Sequence, residues 1–476
     1  MDLYVAMAMM HAPQDAANMA MKLTISTLLS IISFLVCCTS AKEGADSDTS
    51  VSLQCPSGMG SEGVLWDVRF SSHVHIQLQG LDVDAVGNTY LGVVLDPRFS
   101  SDTGPVTFGS FEVVPGDAAD IILIKMSPEG EVLWVRQLGG DGPQVVWALS
   151  ACGDGLVLEG EAPPGTLVLG GEIVTASVFI ASFDGAGQHS WTRPVSVLDA
   201  DGFVYAQDMA CNATGHLVLT GKLKGRVNFG GETVIPLHNE DGYLARFDPK
   251  GELLWASTFG DPASSGQTVA YTKNDDIVVA GSYRDLADFG GGALPAQERD
   301  AAFLARLTAD GAHLWSRAFG PSGMATVVAV DNADQFAIGG SFLDAITLGT
   351  NSYVNTTPAV EGVPADAFLA GVSQDGAVQW STHIGSNSED YISAASFDAD
   401  DTLIVGGAVD ARFALRAYDS DAILWEWSAL TGLGRMAIGP DCAPVVGFNV
   451  VEDIDLGSGV LYGSGNNDTI VAKIRR

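Results

Sequence analysis

The sequence predicts an all-β protein in which seven similar four-stranded sheets form a ring. Three observations carry this prediction: a recurring tryptophan, a glycine at a fixed distance before it, and half-units at the two ends of the array. The 476 residues are 47% hydrophobic and include 56 glycines, as expected for a folded protein of short strands and tight turns. This composition excludes a disordered, collagen-like or multi-pass membrane protein.

Seven tryptophans mark the repeat. Runs such as VLW, LLW, HLW and ILW recur at separations of 68, 57, 64, 60, 65 and 45 residues. Because these tryptophans occupy one place in every unit, we predict that they form the core between neighbouring sheets rather than a stacking platform for sugars. They are Trp66, Trp134, Trp191, Trp255, Trp315, Trp380 and Trp425.

A glycine stands four residues before five of these tryptophans. In segments such as DGYLARFDPKGELLW, an alternating apolar run meets this glycine and continues into a second strand, which is a hairpin pattern. Two further strands complete each unit, as in TVAYTKNDDIVVAGSY from Thr268. The glycines are Gly130, Gly187, Gly251, Gly311 and Gly376, and Asp421 takes this place before Trp425.

A Phe-Gly or Leu-Gly step marks the loop between the second and third strands of most units. The sixth unit, between Trp380 and Trp425, lacks this step, which accounts for its shorter length. The steps are Phe108-Gly109, Leu169-Gly170, Phe229-Gly230, Phe289-Gly290, Leu348-Gly349 and Leu456-Gly457.

The two ends of the array supply the halves of one sheet. The array begins with a single tryptophan-bearing strand, Val64 to Phe70, and finishes with Asp468 to Ile474, the kind of strand that elsewhere precedes it. Radial stacking buries the faces of such sheets, and pairing the terminal strands removes an exposed edge. We therefore predict a seven-bladed β-propeller with four-stranded antiparallel blades, closed by its N- and C-terminal strands.

The repeat resembles a bacterial family. The aligned units give the pattern Asp-x-x-Gly-x-x-x-Val-x-Gly-x-Phe, then Phe-Gly, then Asp-x-Phe-Leu-Ala-Lys/Arg-x-x-x-x-Gly-x-x-x-Trp. This pattern is similar to the β-propeller repeats of secreted proteins and predicted lipoproteins, many from myxobacteria and their relatives. Matching stretches are Asp300 to Trp315, Asp366 to Trp380 and Val330 to Phe342. The resemblance covers nearly all of the mature chain, and it implies the fold while leaving the activity open.

Two other propeller families share the Asp-Gly-x-x-x-Trp hairpin. They are the quinoprotein dehydrogenases and the propeller lipoprotein that helps to assemble outer-membrane proteins, and both usually have eight blades. Quinoprotein enzymes also hold a vicinal cysteine pair against their cofactor. The only such pair in this chain is Cys37-Cys38, before the propeller, which argues against that assignment.

The start of the chain is predicted to direct export. Met21 to Val36 combine one lysine with an apolar stretch, as in a bacterial export signal. The preceding residues contain no lysine or arginine, so we expect translation to start near Met19 or Met21. The expected organisation is an export signal over residues 1–38, a polar tether over 39–62 and the propeller over 63–476.

The export signal ends in a segment that resembles a lipoprotein box. In Leu35-Val36-Cys37-Cys38, the residue expected to receive lipid is Cys38. A lipid anchor would hold the protein at the outer membrane or cell surface. The alternative is ordinary cleavage after Thr39-Ser40-Ala41, which would release a soluble periplasmic or secreted protein.

Four cysteines remain after the signal, and their even number in an exported protein suggests disulfides. Cys152 and Cys211 occupy the same turn in successive units, so we predict that they are bonded. We also predict a bond between Cys55 and Cys442, which would fasten the closing blade.

Several side chains were weighed as functional sites. The segment from Asp82 to Asn88 has carboxylates before a glycine, as in a calcium loop, but equivalent turns keep no constant ligands, so a plain turn is favoured. His73 and His75 could face one way on a strand, as zinc ligands do, but no third ligand is identifiable, and an edge-strand pair without metal is preferred. Trp147 and Trp427 fall outside the repeat and are candidates for exposed contacts or for filling gaps.

The sequence favours a binding module over an enzyme. Its net charge of −35 argues against nucleic acid and anionic membrane surfaces as partners. We find no recognisable nucleophile, metal or cofactor site, so we expect a monomeric, non-catalytic propeller that binds a protein or glycan or acts as a scaffold. The alternative is a hydrolase, lyase or quinoprotein-like oxidoreductase that uses the central channel, and a third possibility is a simple spacer.

Overall fold

The computed structural model describes seven four-stranded antiparallel sheets, here called blades I to VII. Within each blade the strands are named a to d, from the innermost to the outermost. The described residues are 63–100, 104–238, 240–355, 365–410, 412–429, 434–450, 454–456, 460–461 and 468–475. The export signal, Cys38, the tether and Cys55 lie outside these ranges.

The strands of each blade follow the order a-b-c-d, so neighbours along the chain are neighbours in the sheet. For blades I to VII, strand a spans His75–Val83, Val145–Cys152, Phe203–Cys211, Ser265–Tyr271, Met324–Val330, Tyr391–Phe397 and Gly434–Ile438. Strand b spans Thr89–Asp96, Gly155–Glu161, Leu217–Lys224, Ile277–Tyr283, Phe336–Phe342, Leu403–Val409 and Pro444–Val450.

The outer strands carry the recurring sequence pattern. Strand c spans Asp120–Met126, Val178–Phe183, Glu240–Phe247, Ala301–Leu307, Asp366–Val372, Arg412–Asp419 and Asp468–Ile474. Strand d spans Val132–Leu138, His189–Val197, Leu253–Phe259, His313–Phe319, Val378–Ile384, Ala422–Ala429 and, for blade VII, Val64–Phe70. Each predicted tryptophan therefore lies on an outermost strand.

Small hairpins lie between strands b and c of five blades. Each pairs two short strands around the predicted Phe-Gly or Leu-Gly step, and blade I adds a short 3-10 helix, Pro97–Phe99. In blades I, II, III, V and VII these pairs are Val106–Phe108 with Phe111–Val113, Val168–Leu169 with Glu172–Ile173, Val227–Asn228 with Thr233–Val234, Ala345–Leu348 with Asn351–Val354, and Ile454–Asp455 with Val460–Leu461.

The ring is closed as the sequence predicts. Strand Val64–Phe70 pairs antiparallel with Asp468–Ile474, in a register that sets Phe70 opposite Thr469. Arg69 forms a salt bridge to Asp468 across this pairing, and the Asp468 side chain is fully buried. The strand a of each blade contacts that of the next all the way round, from blade I to blade VII and back to blade I.

Two faces of the ring follow from this topology. Because strands alternate in direction, the b–c connections and the blade-to-blade connections lie on one face, here called the b–c face, and the a–b and c–d turns lie on the opposite turn face. Many turns are held by one polar side chain: Asp248 Oδ1 accepts from the amides of Lys250 and Glu252, each at 2.8 Å. Such a side chain replaces missing backbone partners.

The recurring tryptophan and glycine meet between blades. The indole of Trp134 in blade I donates to the carbonyl of Gly185 in the c–d turn of blade II, at 3.0 Å. A Cβ atom on Gly187 of that turn would lie 3.0 Å from the same indole. The equivalent tryptophan–glycine pairs are Trp66 with Gly130, Trp191 with Gly251, Trp255 with Gly311 and Trp315 with Gly376. Repeated contacts of this kind therefore join the outer strands of consecutive blades, from blade VII to blade I and onward to blade V.

Candidate functional site

The b–c hairpins of blades III and V contact the end of strand d of the preceding blade. In blade III, Val227 and Asn228 pair with Val197 and Ser196 of blade II, extending its sheet by an extra strand. In blade V, the amide of Thr347 donates to the carbonyl of Gly320 in the connection that follows strand d of blade IV, at 2.7 Å. The hairpin thus covers one end of the gap between two blades.

An apolar contact accompanies this pairing. Phe108 of the blade I hairpin packs on Phe70 of blade VII with ring centroids 5.3 Å apart, and Phe289 of blade IV packs on Phe259 of blade III at 4.7 Å. In both pairs, the side chain that is covered on the preceding blade is the fourth residue after the repeat tryptophan. At five such positions the side chain is at most 7% exposed: Phe70, Leu138, Val195, Phe259 and Phe319.

Blade VI lacks this cover. Its strands b and c are separated only by Asp410 and Ala411, whereas residues 225–239 occupy the same interval in blade III. The covered position on the preceding blade is Ile384, and it is half-buried. Among the six side chains that the structure describes at this position, it alone is not buried.

The same gap is also open towards the turn face. The c–d turn of blade VI consists of Ser420 and Asp421 and has no glycine to receive the indole of Trp380. That indole lies instead against its own blade, where a Cβ atom on Gly371 would be 2.1 Å from Trp380 Nε1. The two shortened connections leave the outer half of the gap between blades V and VI unfilled.

A cleft of about 620 Å³ occupies this gap. Its aliphatic surface comes from Ile384, Val409 and Ile423, and the Ile423 side chain is 50% exposed. Its polar lining includes Thr382, His383, Ser386, Asn387, Asp410, Arg416, Tyr418 and Asp421. The volume is that of an ordinary ligand site.

The charges around the cleft are mostly acidic. Arg416 Nε donates to Glu426 at 2.5 Å, and His383 Nε2 lies 2.9 Å from the buried carboxylate of Asp366. Asp410 and Asp421 line the cleft directly. Because the Arg416 guanidinium and the His383 imidazole each face a carboxylate, the rim favours ligands with positive charge.

Buried polar groups shape the floor of the cleft. The Asp390 carboxylate accepts from the Asp410 amide at 2.8 Å, which fixes the shortened b–c connection. Burial raises the pKa of Asp390, and burial likewise raises the pKa of the Tyr418 hydroxyl. These groups give the cleft a fixed shape, and none of them forms a nucleophile–base pair.

Carboxylates on the inner strands fasten neighbouring blades. Asp82 accepts from the Ala151 amide at 2.7 Å, Glu159 from Ala206 at 3.1 Å, and Asp208 from Val269 at 2.9 Å. Burial raises the pKa of Glu159 to about 8 and that of Asp208 well above its usual value. Their hydrogen bonds each join one blade to the next.

Arg435 brings a positive charge to the same inner region. It lies on strand a of blade VII and is half-buried. Burial lowers its pKa to about 10, and the negative charge of Asp208 on blade III opposes that shift.

The predicted site residues fall in different parts of the ring. Cys152 and Cys211 form a disulfide with Cα atoms 5.5 Å apart, joining strands a of blades II and III at the turn face. Cys442 is also disulfide-bonded, but its expected partner Cys55 lies outside the described residues, so that pairing stays a prediction. Peptide mapping without reduction would identify the partner.

The segment considered as a calcium loop is a turn with diverging carboxylates. Asp84 Oδ1 accepts from the amides of Val86 and Asn88, at 3.1 and 2.8 Å, while Asp82 reaches blade II. His75 begins strand a, which is an edge strand of the blade I sheet as expected, whereas His73 lies in the bend before that strand, so the two histidines do not form a pair on one strand. Within the described residues, no group of three His, Cys, Asp or Glu side chains could hold a metal ion.

The two tryptophans outside the repeat behave differently. Trp427 is 8% exposed and packs in the core between blades VI and VII, so of the two roles considered for it, it fills a gap and makes no exposed contact. Trp147 is half-buried, 6.3 Å from Tyr205, and donates to Glu161 at 3.2 Å. The b–c face also exposes Val114, Ile235 and Val354 on its hairpin segments.

The molecule is thus a seven-bladed β-propeller, and among the six junctions whose covered side chain the structure describes, the gap between blades V and VI is incompletely covered. No protein-family model and no curated protein matches the chain. No helix among the described residues is long and apolar enough to cross a membrane.

Solved structures similar to this chain are also propellers, but at low identity. The Dos1 propeller is 10% identical, with a TM-score of 0.38, covering 87% of this chain and 95% of its own. YCF48 bound to D1 peptide is 8% identical, with a TM-score of 0.42 and coverages of 86% and 96%. Virginiamycin B lyase from Staphylococcus aureus is 9% identical, with a TM-score of 0.42 and coverages of 86% and 98%. Such distant likenesses transfer no activity to this chain.

Proposed function

We propose that this chain is an exported, non-catalytic binding module, held at the outer membrane or cell surface by lipid on Cys38, whose ligand occupies the cleft between blades V and VI. The observation that carries the proposal is the half-buried Ile384, at a position that is covered at five other blade junctions. Together with Val409 and Ile423, Ile384 forms a contiguous apolar surface, and such a surface is suited to binding a ligand.

A protein ligand is favoured over a glycan. The cleft presents the aliphatic side chains of Ile384, Val409 and Ile423, whereas its one aromatic ring, Tyr418, is 2% exposed. Sugar recognition commonly uses an exposed aromatic face, and protein ligands supply the aliphatic side chains that such walls can bury. A catalytic use of the channel is less well supported, because the inner carboxylates Asp82, Glu159 and Asp208 already bond to backbone amides of the next blade.

Site-specific photo-crosslinking in the producing cell tests the proposal. A photoreactive amino acid is placed at Ile423 in the cleft, and in a separate chain at Leu314, which is 46% exposed on the outer strand of blade IV. We expect a discrete adduct with another protein from position 423 but not from position 314, and its loss when Ile384→Asp is added. An equal pattern from both positions would contradict the proposal.

The proposed anchor has a separate test. Radiolabelled palmitate should enter the full chain and be lost in Cys38→Ala, with the protein moving from the membrane to the soluble fraction. Label that is absent from the parent chain would leave a soluble exported protein, and the lipid anchor would be wrong.

A further inference from the structure

We infer that the cleft accepts an extended segment of a partner protein, which adds a strand beside Gly385 and inserts two alternate apolar side chains over Ile384, as the missing blade VI hairpin would. This inference rests on the proposed binding function and names the form of its ligand. It follows from comparing the junction between blades V and VI with its sister junctions.

The sister junctions define the segment that fits. Their b–c connections carry an apolar residue two positions before the Phe or Leu of the Phe-Gly or Leu-Gly step, and both apolar side chains of each pair are buried. The pairs are Val106 with Phe108, Leu167 with Leu169, Val227 with Phe229, Ala287 with Phe289, and Ile346 with Leu348. In a strand, residues two apart point to the same side. The fitting sequence is therefore apolar-x-apolar-Gly.

The backbone geometry at the sister junctions defines the docking mode. Ser196 of blade II pairs with Asn228, and the carbonyl of Gly320 in blade IV accepts from Thr347 at 2.7 Å. Both residues stand five positions after their repeat tryptophan, and the equivalent residue after Trp380 is Gly385, which is exposed. A partner strand could add to blade V here as the chain's own hairpins add elsewhere.

The charges around the cleft define what flanks the segment. Asp410 and Asp421 line the cleft, and the chain carries a net charge of −35. An extended segment with lysine or arginine beside its apolar core would complement this surface. The inferred ligand is thus a basic segment with an apolar-x-apolar-Gly core, donated by another protein.

A peptide from this chain is a suitable probe. Residues 226–236, RVNFGGETVIP, form the blade III hairpin and contain a basic residue before the apolar pair. The fluorescein-labelled peptide is titrated with the mature protein, and anisotropy is measured. The control peptide carries aspartate in place of Val227 and Phe229.

We expect saturable binding of the parent peptide and at least about tenfold weaker binding by Ile384→Asp, because the bound segment would bury an unpartnered carboxylate. Leu314→Asp, on an exposed outer strand, should bind as the parent protein does. Ile423→Asp, on the opposite wall, provides a second weakened variant should Ile384→Asp unfold, and the melting temperature of each variant is checked.

Four results would overturn the inference. The first is no binding of the peptide at concentrations below about 1 mM, and the second is that Ile384→Asp and Ile423→Asp both bind the peptide as tightly as the parent protein. The third is that the peptide binds only after residues 39–54 are removed. The fourth is that the chain forms dimers that Ile384→Asp abolishes. The last two would mean that the tether or a second copy occupies the cleft. A crosslinked adduct without peptide binding would refute only the inference that the ligand adds a strand, and the proposed binding function would stand. Peptide binding without a crosslinked adduct would refute the proposed function.

Discussion

Trp66 Nε1 donates a hydrogen bond of 2.8 Å to the carbonyl oxygen of Pro128, joining the first strand of the ring to the c–d turn of blade I. The same indole lies against Gly130 in that turn. Equivalent contacts recur around the rim. They explain why five of the c–d turns have a glycine at the same place, four residues before the tryptophan of their own blade. The tryptophan that needs the glycine belongs to the preceding blade.

Replacing Gly130 tests this contact. Gly130 has a φ of +88°, and a Cβ atom there would lie 2.7 Å from the indole, whereas Gly165 has a φ of +80° and nothing within 4 Å of that position. We expect Gly165→Ala to lose about 1–2 kcal/mol through backbone strain alone. Gly130→Ala should lose roughly 1–3 kcal/mol more, because the indole must move. Urea unfolding measures both, and equal losses would show that only the φ angle matters.

The indole hydrogen bonds make a second prediction. Trp255 Nε1 donates to the Ala309 carbonyl at 2.9 Å, whereas Trp425 Nε1 is buried and has no partner among the described residues. Blade VII has no c–d turn to supply one, because its strand d is the N-terminal strand. We expect Trp255→Phe to destabilise by about 1 kcal/mol more than Trp425→Phe, which is the usual net worth of a hydrogen bond. Similar losses in chemical denaturation would contradict this reading.

Ring closure should dominate the stability of the propeller. Removing Val64–Phe70 would expose the edge of Asp468–Ile474 and leave the buried Asp468 carboxylate without Arg69. We expect a melting temperature at least about 10 °C lower and visible aggregation on heating, whereas removal of residues 39–54 should change neither. A truncated chain that melts within a degree or two of its parent would argue against closure.

The ring could be predicted from sequence because its determinants are local and repeated. The strand bounds Val64–Phe70 and Asp468–Ile474 agree with those expected, since the same alternating pattern occurs in every unit. The short sixth unit was also evident. The half-buried state of Ile384 was not predicted. No local feature of the sequence shows that a b–c hairpin covers the preceding blade.

The hydrogen bonds that buried carboxylates make between blades had no sequence signal. Glu159 is on strand b of blade II and accepts from Ala206 on strand a of blade III, and neither residue belongs to a recurring pattern. Trp427 stands two residues after Trp425 on the same strand and packs in the same core between blades VI and VII, although only Trp425 belongs to the recurring pattern. Side-chain environments of this kind depend on the assembled ring.

The buried Glu159 predicts a pH dependence of stability. Burial raises its folded-state pKa to about 8 from an ordinary value of 4.5, with Glu161 adding to the shift. Between these values the unfolded chain has released the proton and the folded chain has kept it, so the free energy of unfolding falls as pH rises through this window and stays lower above it.

Glu159→Gln removes this titration while keeping an oxygen that can accept from the Ala206 amide. We expect the variant to match its parent near pH 4 and to be more stable by roughly 2–5 kcal/mol at pH 9. Urea unfolding at pH 4, 6.5 and 9 measures the difference. A stability difference independent of pH would mean that Glu159 is not the titrating group.

The most direct test of the functional account is to fill the cleft with the chain's own hairpin. Residues 225–239 of blade III replace Asp410 and Ala411, restoring a b–c hairpin to blade VI, and the photoreactive residue remains at Ile423. The account predicts that the variant folds, melts no lower than the parent and gives no more adduct at position 423 than at Leu314. A folded variant that still forms the parent adduct would contradict the account.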